Sequence, residues 1–183
     1  AVDDEAVLLL MADMPGGTLR DNGGERSAPE AVHLLARVVQ AAMDDLPGLR
    51  ALGLPERPLA NLASELDAAW GRSDPVADLL LPPGRLTDLV PWVEAAARDL
   101  ATLPIADTLV HGDFHAGNVG RDGHGLRIFD WSDAAIAHPL LDATPWMQDA
   151  ETAAEGEALW APWVAAWQGS MPAGALEGRR HAV

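Results

Sequence analysis

Apolar residues along the chain fall into short runs punctuated by Pro and Gly, and their spacing changes from run to run. Ala6 to Ala12 form one continuous apolar run ahead of Asp13 and Pro15, which predicts a buried strand. Gly16-Gly17 and Asn22-Gly23-Gly24 break the chain on either side of Thr18 to Asp21. From Ser27 or Pro29 to about Asp44, Val32, Leu35, Val38 and Val39 recur on one helical face. A second helix is predicted from Asn61 to about Trp70, with a turn over Gly71 to Pro75. Leu86 to Leu103 repeat Leu89, Val93, Ala96 and Leu100 at helical spacing, with Pro91 in the first turn. Thr108 to Val110 make a short extended run. Asn118-Val119 and Leu126 to Phe129 read as two strands joined at Arg121 to Gly125, a hairpin. Helices follow from Leu140 to about Ala150 and from Ala153 to Trp167, where Trp160, Trp163 and Trp167 lie one turn apart and face inward. Gly169 to Val183 read as a fraying tail. The class is α+β, mostly α, with its few strands gathered around residues 109 to 130.

Composition narrows the chemistry. The 183 residues suffice for one domain with a real core. No apolar run approaches the ~20 residues that a membrane span requires, and no signal peptide is evident. Cysteine is absent, which removes disulfides, thiolate zinc sites and cysteine nucleophiles; a cytoplasmic location fits. The formal net charge is −16, a surface that repels nucleic acid and anionic membranes and leans towards a cationic partner or substrate. All twelve basic residues are Arg. No lysine is present to hold nucleotide phosphates, and no G-x-G-x-x-G loop occurs.

The informative stretch is Leu109 to Asp133, LVHGDFHAGNVGRDGHGLRIFDWSD. Asp113 and Asn118 are five residues apart, and Asp130 follows twelve residues later across the predicted hairpin. A carboxylate at the end of an apolar strand is costly to bury unpaired and is usually there to bind something. Two oxygen ligands on a rigid hairpin, completed by water and phosphate oxygens, suit Mg²⁺. A third group, Asp113, is then placed to receive or orient a hydroxyl proton, the division of labour in phosphoryl transfer.

The string His111-Gly112-Asp113-Phe114-His115-Ala116-Gly117-Asn118 resembles the H-G-D-x-H-x-x-N signature of the aminoglycoside phosphotransferase and choline kinase family. Phe129-Asp130-Trp131 resembles that family's metal motif, and His138-Pro139-Leu140-Leu141-Asp142 continues the pattern. Leu8 to Met14 resemble the strand that links the two lobes of such kinases, so the likeness spans roughly Val7 to Trp146. The resemblance implies a protein-kinase-like large, C-terminal lobe over 14–168, a hinge strand over 1–13 and a flexible tail over 169–183, with the N-terminal lobe absent. It implies ATP as phosphoryl donor and Mg²⁺ as cofactor. Asp113 would be the catalytic base or hydroxyl-orienting group, Asn118 and Asp130 the metal ligands, and Met11, Ala12 and Asp13 the backbone that meets adenine. The acceptor would be a small molecule bearing a hydroxyl; activity would need the N-terminal lobe.

Other readings compete. Asp113 and Asn118 are also turn-capping types. His111 is expected to pack and bond within the loop, and His115 either supports the loop or lines the acceptor site. Asp133 either orients the metal loop, contacts substrate or caps a helix. His138 is expected to serve structure, and His33 is assigned nothing. His111, Asp113 and His115 alternate as on a strand, a spacing that can bind zinc in a metal-dependent hydrolase. A non-catalytic module that binds a nucleotide or small molecule is the third possibility.

Overall fold

In the computed structural model the described residues are 2–3, 8–9, 16–22, 27–70, 85–143, 153–167 and 175–176. Two short strands open the chain, β1 (Val2–Asp3) and β2 (Leu8–Leu9), paired antiparallel. Part of the strand expected over Ala6 to Ala12 is therefore present, at Leu8–Leu9. Met11, Ala12 and Asp13 lie outside the described residues, as does the expected turn over Gly71 to Pro75.

Helix α1 (Ala28–Ala42) begins with Pro in its first turn and Glu30 close behind, a favourable arrangement at the positive end of the helix dipole. Its apolar stripe buries Ala31, Val32, Leu35 and Val39. Val38 differs from expectation: it is 37% exposed. One residue of rotation is about 100°, so Val38 and Val39 cannot share one narrow face. After a 3-10 turn and the short helix α2 (Leu46–Ala51) comes β3 (Glu56–Arg57). Helices α3 (Leu62–Trp70) and α4 (Arg85–Leu100) pack on one another. Pro91 lies inside α4, as its seventh residue and so in the second turn, not the first as expected.

Three strands then build the floor of the site. β4 (Thr108–Val110) and β5 (Val119–Asp122) flank the motif loop, and β6 (Gly125–Ile128) returns antiparallel to β5. Asp122 pairs with Gly125, so the expected hairpin forms with Gly123-His124 at its tip. β7 (Ala135–Ala137) was not evident from the sequence, since Ala-Ile-Ala is too short to show a period. It lies between β3, in parallel, and β4, antiparallel. Where a helix was expected from Leu140, residues Pro139–Ala143 form a 3-10 turn; the rest of that expected helix lies outside the described residues.

Helix α5 (Ala153–Trp167) runs as expected and packs on α1, with Trp160, Trp163 and Trp167 all buried. They join Leu35, Val39, Leu100, Phe114, Val119 and Leu140 in one core. Phe114, inside the motif, is fully buried and meets the edge of Trp163 at 6.1 Å between ring centroids. The motif loop is thereby anchored to α5. Thr108 anchors β4 to α1 by donating its hydroxyl to the Val39 carbonyl at 2.8 Å. Of the expected tail, residues 175–176 are described, and Leu176 is buried in the same core. Among the described residues no helix is long and apolar enough to cross a membrane.

Candidate active site

The motif loop starts where β4 ends. His111 is fully buried, and both its ring nitrogens are engaged. Nδ1 accepts the Asp113 backbone N–H at 3.3 Å, and Nε2 donates to the Phe129 carbonyl at 2.8 Å. Accepting at one nitrogen and donating at the other corresponds to the tautomer with its proton on Nε2. The ring also lies 4.7 Å from that of Trp131. One side chain therefore ties the Asp113 loop to the Asp130 turn, the packing role expected of it.

Gly112 has φ +86°, and a Cβ there would strike the Asp133 carbonyl oxygen and stand 2.8 Å from its carbon. Both the conformation and the space demand glycine. Asp113 follows, half-buried. Asn118, 8% exposed, donates Nδ2 to the Asp113 carbonyl at 2.9 Å and to Asp113 Oδ2 at 3.1 Å. With both amide hydrogens spent on Asp113, the Asn118 amide oxygen faces the other way as a pure acceptor.

The hairpin joins this pair to Asp130. The Phe129 N–H donates to the Asn118 carbonyl at 3.1 Å, extending the β5–β6 ladder by one step. Asp130 comes next, exposed, with φ +59°. It is the one non-glycine residue with positive φ among the described residues. Backbone held in this region costs energy and collects at functional sites. Ser132 donates its hydroxyl to Asp130 Oδ1 at 2.8 Å. Asp133 is exposed, and among the described residues its side chain makes no hydrogen bond; its contribution is the backbone packed on Gly112.

The structure does not assemble the zinc triad. His111 has no nitrogen lone pair to spare, and it is buried beneath the loop. Among the described residues no group of three or more His, Asp and Glu is placed to hold a metal. Alternation along the sequence was misleading because residues 111–115 are not a strand: β4 ends at Val110 and Gly112 turns the chain.

The model of the phosphotransferase enzyme family matches residues 2–180. The chain belongs to that family. No curated protein gives a significant match.

Two residues of this phosphotransferase carry structural roles that the sequence reading did not assign, although it placed Asp142 in the family pattern. Asp142 is 2% exposed and accepts the backbone N–H groups of His111 at 2.7 Å and Gly112 at 2.9 Å. Burial pushes its carboxyl above the ordinary carboxylate range, against the opposing pull of those two donors. Its signal was a single carboxylate in the apolar run Pro139 to Ala143. The other is Arg20. Thr18 bridges to Gly120, and the N–H groups of Leu19 and Arg20 donate to the carbonyls of Val119 at 2.8 Å and Ala116 at 3.1 Å. Arg20 thus stands beside the motif loop, with Nη2 3.4 Å from His115 Nδ1. Nothing in Gly-Gly-Thr-Leu-Arg-Asp alone points 95 residues ahead.

Proposed function

We propose that this phosphotransferase moves the γ-phosphoryl group of ATP to a hydroxyl of a small molecule. The double donation of Asn118 to Asp113 carries the reading. It spends the amide hydrogens of Asn118 and one carboxylate oxygen of Asp113 on each other. Asp113 Oδ1, which accepts nothing among the described residues, is then available to orient the acceptor hydroxyl and take its proton. The hydroxyl oxygen attacks phosphorus, the bond to the bridging oxygen of ADP breaks, and the proton leaves with Asp113.

The donor set suits magnesium better than zinc. The Asn118 amide oxygen and the Asp130 carboxylate are hard oxygen donors, too few for a self-contained cage but enough when phosphate oxygens complete the shell. When bound there, Mg²⁺ would offset phosphate charge. Ser132 steadies the Asp130 carboxylate, and the His111 ring holds the Asp113 loop and the Asp130 turn in register.

In this reading the described fold is a kinase-like large lobe, and the backbone of Met11 to Asp13 meets adenine. A lysine for the phosphates would have to come from outside residues 1–183, which contain none. The net charge of −16 favours a cationic acceptor over nucleic acid or an anionic membrane, and the lack of cysteine fits a cytoplasmic setting.

The test is ADP release from Mg²⁺–ATP by the full-length protein across aminoglycosides, choline, homoserine and sugars. One acceptor should raise the rate well above that with water, and Asp113→Asn should lower it by about 10²–10⁴-fold. Unchanged turnover in Asp113→Asn would sink the assignment. Stoichiometric bound zinc by elemental analysis would favour the hydrolase instead.

A further inference from the structure

We propose that Arg20 is a positioning residue for Asp113, acting through the ring of His115; the inference rests on the reading of Asp113 as the hydroxyl-orienting group. The side chain of Arg20 is exposed, but its backbone is fixed by the bridge and two hydrogen bonds to residues 116–120, and neighbouring Leu19 is 4% exposed. The guanidinium therefore reaches His115 from a rigid base.

Two donors converge on His115 Nδ1. The Gly117 backbone N–H lies at 2.9 Å and Arg20 Nη2 at 3.4 Å. Both approaches require a bare Nδ1, so the single ring proton sits on Nε2. Nε2, the protonated nitrogen, is 3.4 Å from Asp113 Oδ2, within ion-pair distance of that oxygen. Moving the proton to Nδ1 would set it against a cation and an N–H, and would turn a bare nitrogen lone pair onto a carboxylate. Arg20 thus makes the reverse tautomer costly, and Asp113 Oδ2 is approached on two sides, by the hydrogen bond from Asn118 and by the protonated face of His115 at 3.4 Å. Oδ1 remains the oxygen that meets the acceptor.

The arrangement is closely fitted. A Cβ on Gly117 would stand 2.7 Å from His115 Cε1, 2.9 Å from Nδ1 and 3.3 Å from Arg20 Nη1. Glycine at 117 is what lets the ring and the guanidinium share this corner. Distances of 3.4 Å are at the long end of hydrogen bonding. The influence of Arg20 is mainly that of a charge fixed beside Nδ1.

Long-range ¹H–¹⁵N correlation spectra of the full-length protein report the His115 tautomer directly, with His115→Gln to assign the signals. Wild type should show the proton on Nε2. Arg20→Ala should raise the share of the Nδ1–H tautomer, which the Gly117 N–H then opposes alone, and Arg20→Lys should restore the wild-type pattern by returning a cation. The turnover of Mg²⁺–ATP with water as acceptor should follow: about tenfold lower kcat in the Ala variant, with KM for ATP little changed, and recovery in the Lys variant. The melting temperature should stay within about 2 °C, as expected at an exposed side chain. A wild-type ring protonated on Nδ1, or an unshifted tautomer in Arg20→Ala, would overturn the proposal. A shifted tautomer together with full turnover in Asp113→Asn would mean instead that the reading of Asp113 is wrong.

Discussion

Asp142 holds the backbone of His111 from 31 residues away, its Oδ2 accepting the N–H at 2.7 Å. Its other oxygen takes Gly112, so a single buried carboxylate closes the turn that delivers Asp113. Asp142→Ala would leave two amide groups facing a site with no replacement acceptor. The cost should be about 3 kcal/mol in urea unfolding, since each stranded donor forfeits its desolvation. Turnover should fall with it, because the loop loses its anchor. An unfolding midpoint equal to that of wild type would contradict this role.

Gly112→Ala tests the turn itself. The substitution forces an L side chain to φ +86° and drives its methyl group into the Asp133 backbone. Backbone atoms cannot rotate away as a side chain can. Destabilisation of about 2–3 kcal/mol is expected, together with loss of activity greater than the loss of fold. Thermal denaturation alongside turnover at low temperature would separate the two effects.

His138 makes stability depend on pH. Burial lowers its pKa from 6.5 to about 4. The native ring therefore stays neutral where the unfolded chain binds a proton. Its contribution is complete above pH 6.5 and drains away as pH falls towards 4. Over that window the loss reaches ~3 kcal/mol, from 1.36 kcal/mol per unit. His138→Gln should flatten this part of the profile. Denaturant midpoints of both proteins at pH 7 and pH 4.5 give the comparison, and parallel profiles would show that His138 is not responsible.

Asn118 should matter to rate more than to fold. Asn118→Ala removes both donations to Asp113, and with them one proposed magnesium ligand. Turnover should fall by about 10²-fold or more. The Mg²⁺ concentration needed for half-maximal rate should rise as well. A variant with lower stability but an unchanged magnesium requirement would show that Asn118 serves the loop alone.

The motif was legible because its members are close in sequence and chemically unusual together. His111, Asp113, Asn118 and Asp130 lie within twenty residues on a hairpin whose strand pattern was readable. The inward face of Trp160, Trp163 and Trp167 was equally plain, since three large apolar groups at helical spacing have few other places to go. What stayed hidden depends on contacts between distant segments. Arg20 meets His115 only because residues 18–20 lie along β5. Asp142 belonged to a readable pattern, but its role appears only when two backbone amides are found against it. The helix expected from Leu140 begins as a 3-10 turn, with the neighbouring β7 paired on both sides. Val38 was misplaced because adjacent valines were assigned to one face.

The bonds that shape the Asp113 turn and clamp Asn118 and Phe129 all run among residues 111–142. Helices α3 and α4 contribute none of them. The stretch is wired largely from within, while Leu19, Arg20 and Trp163 pin its rim from outside.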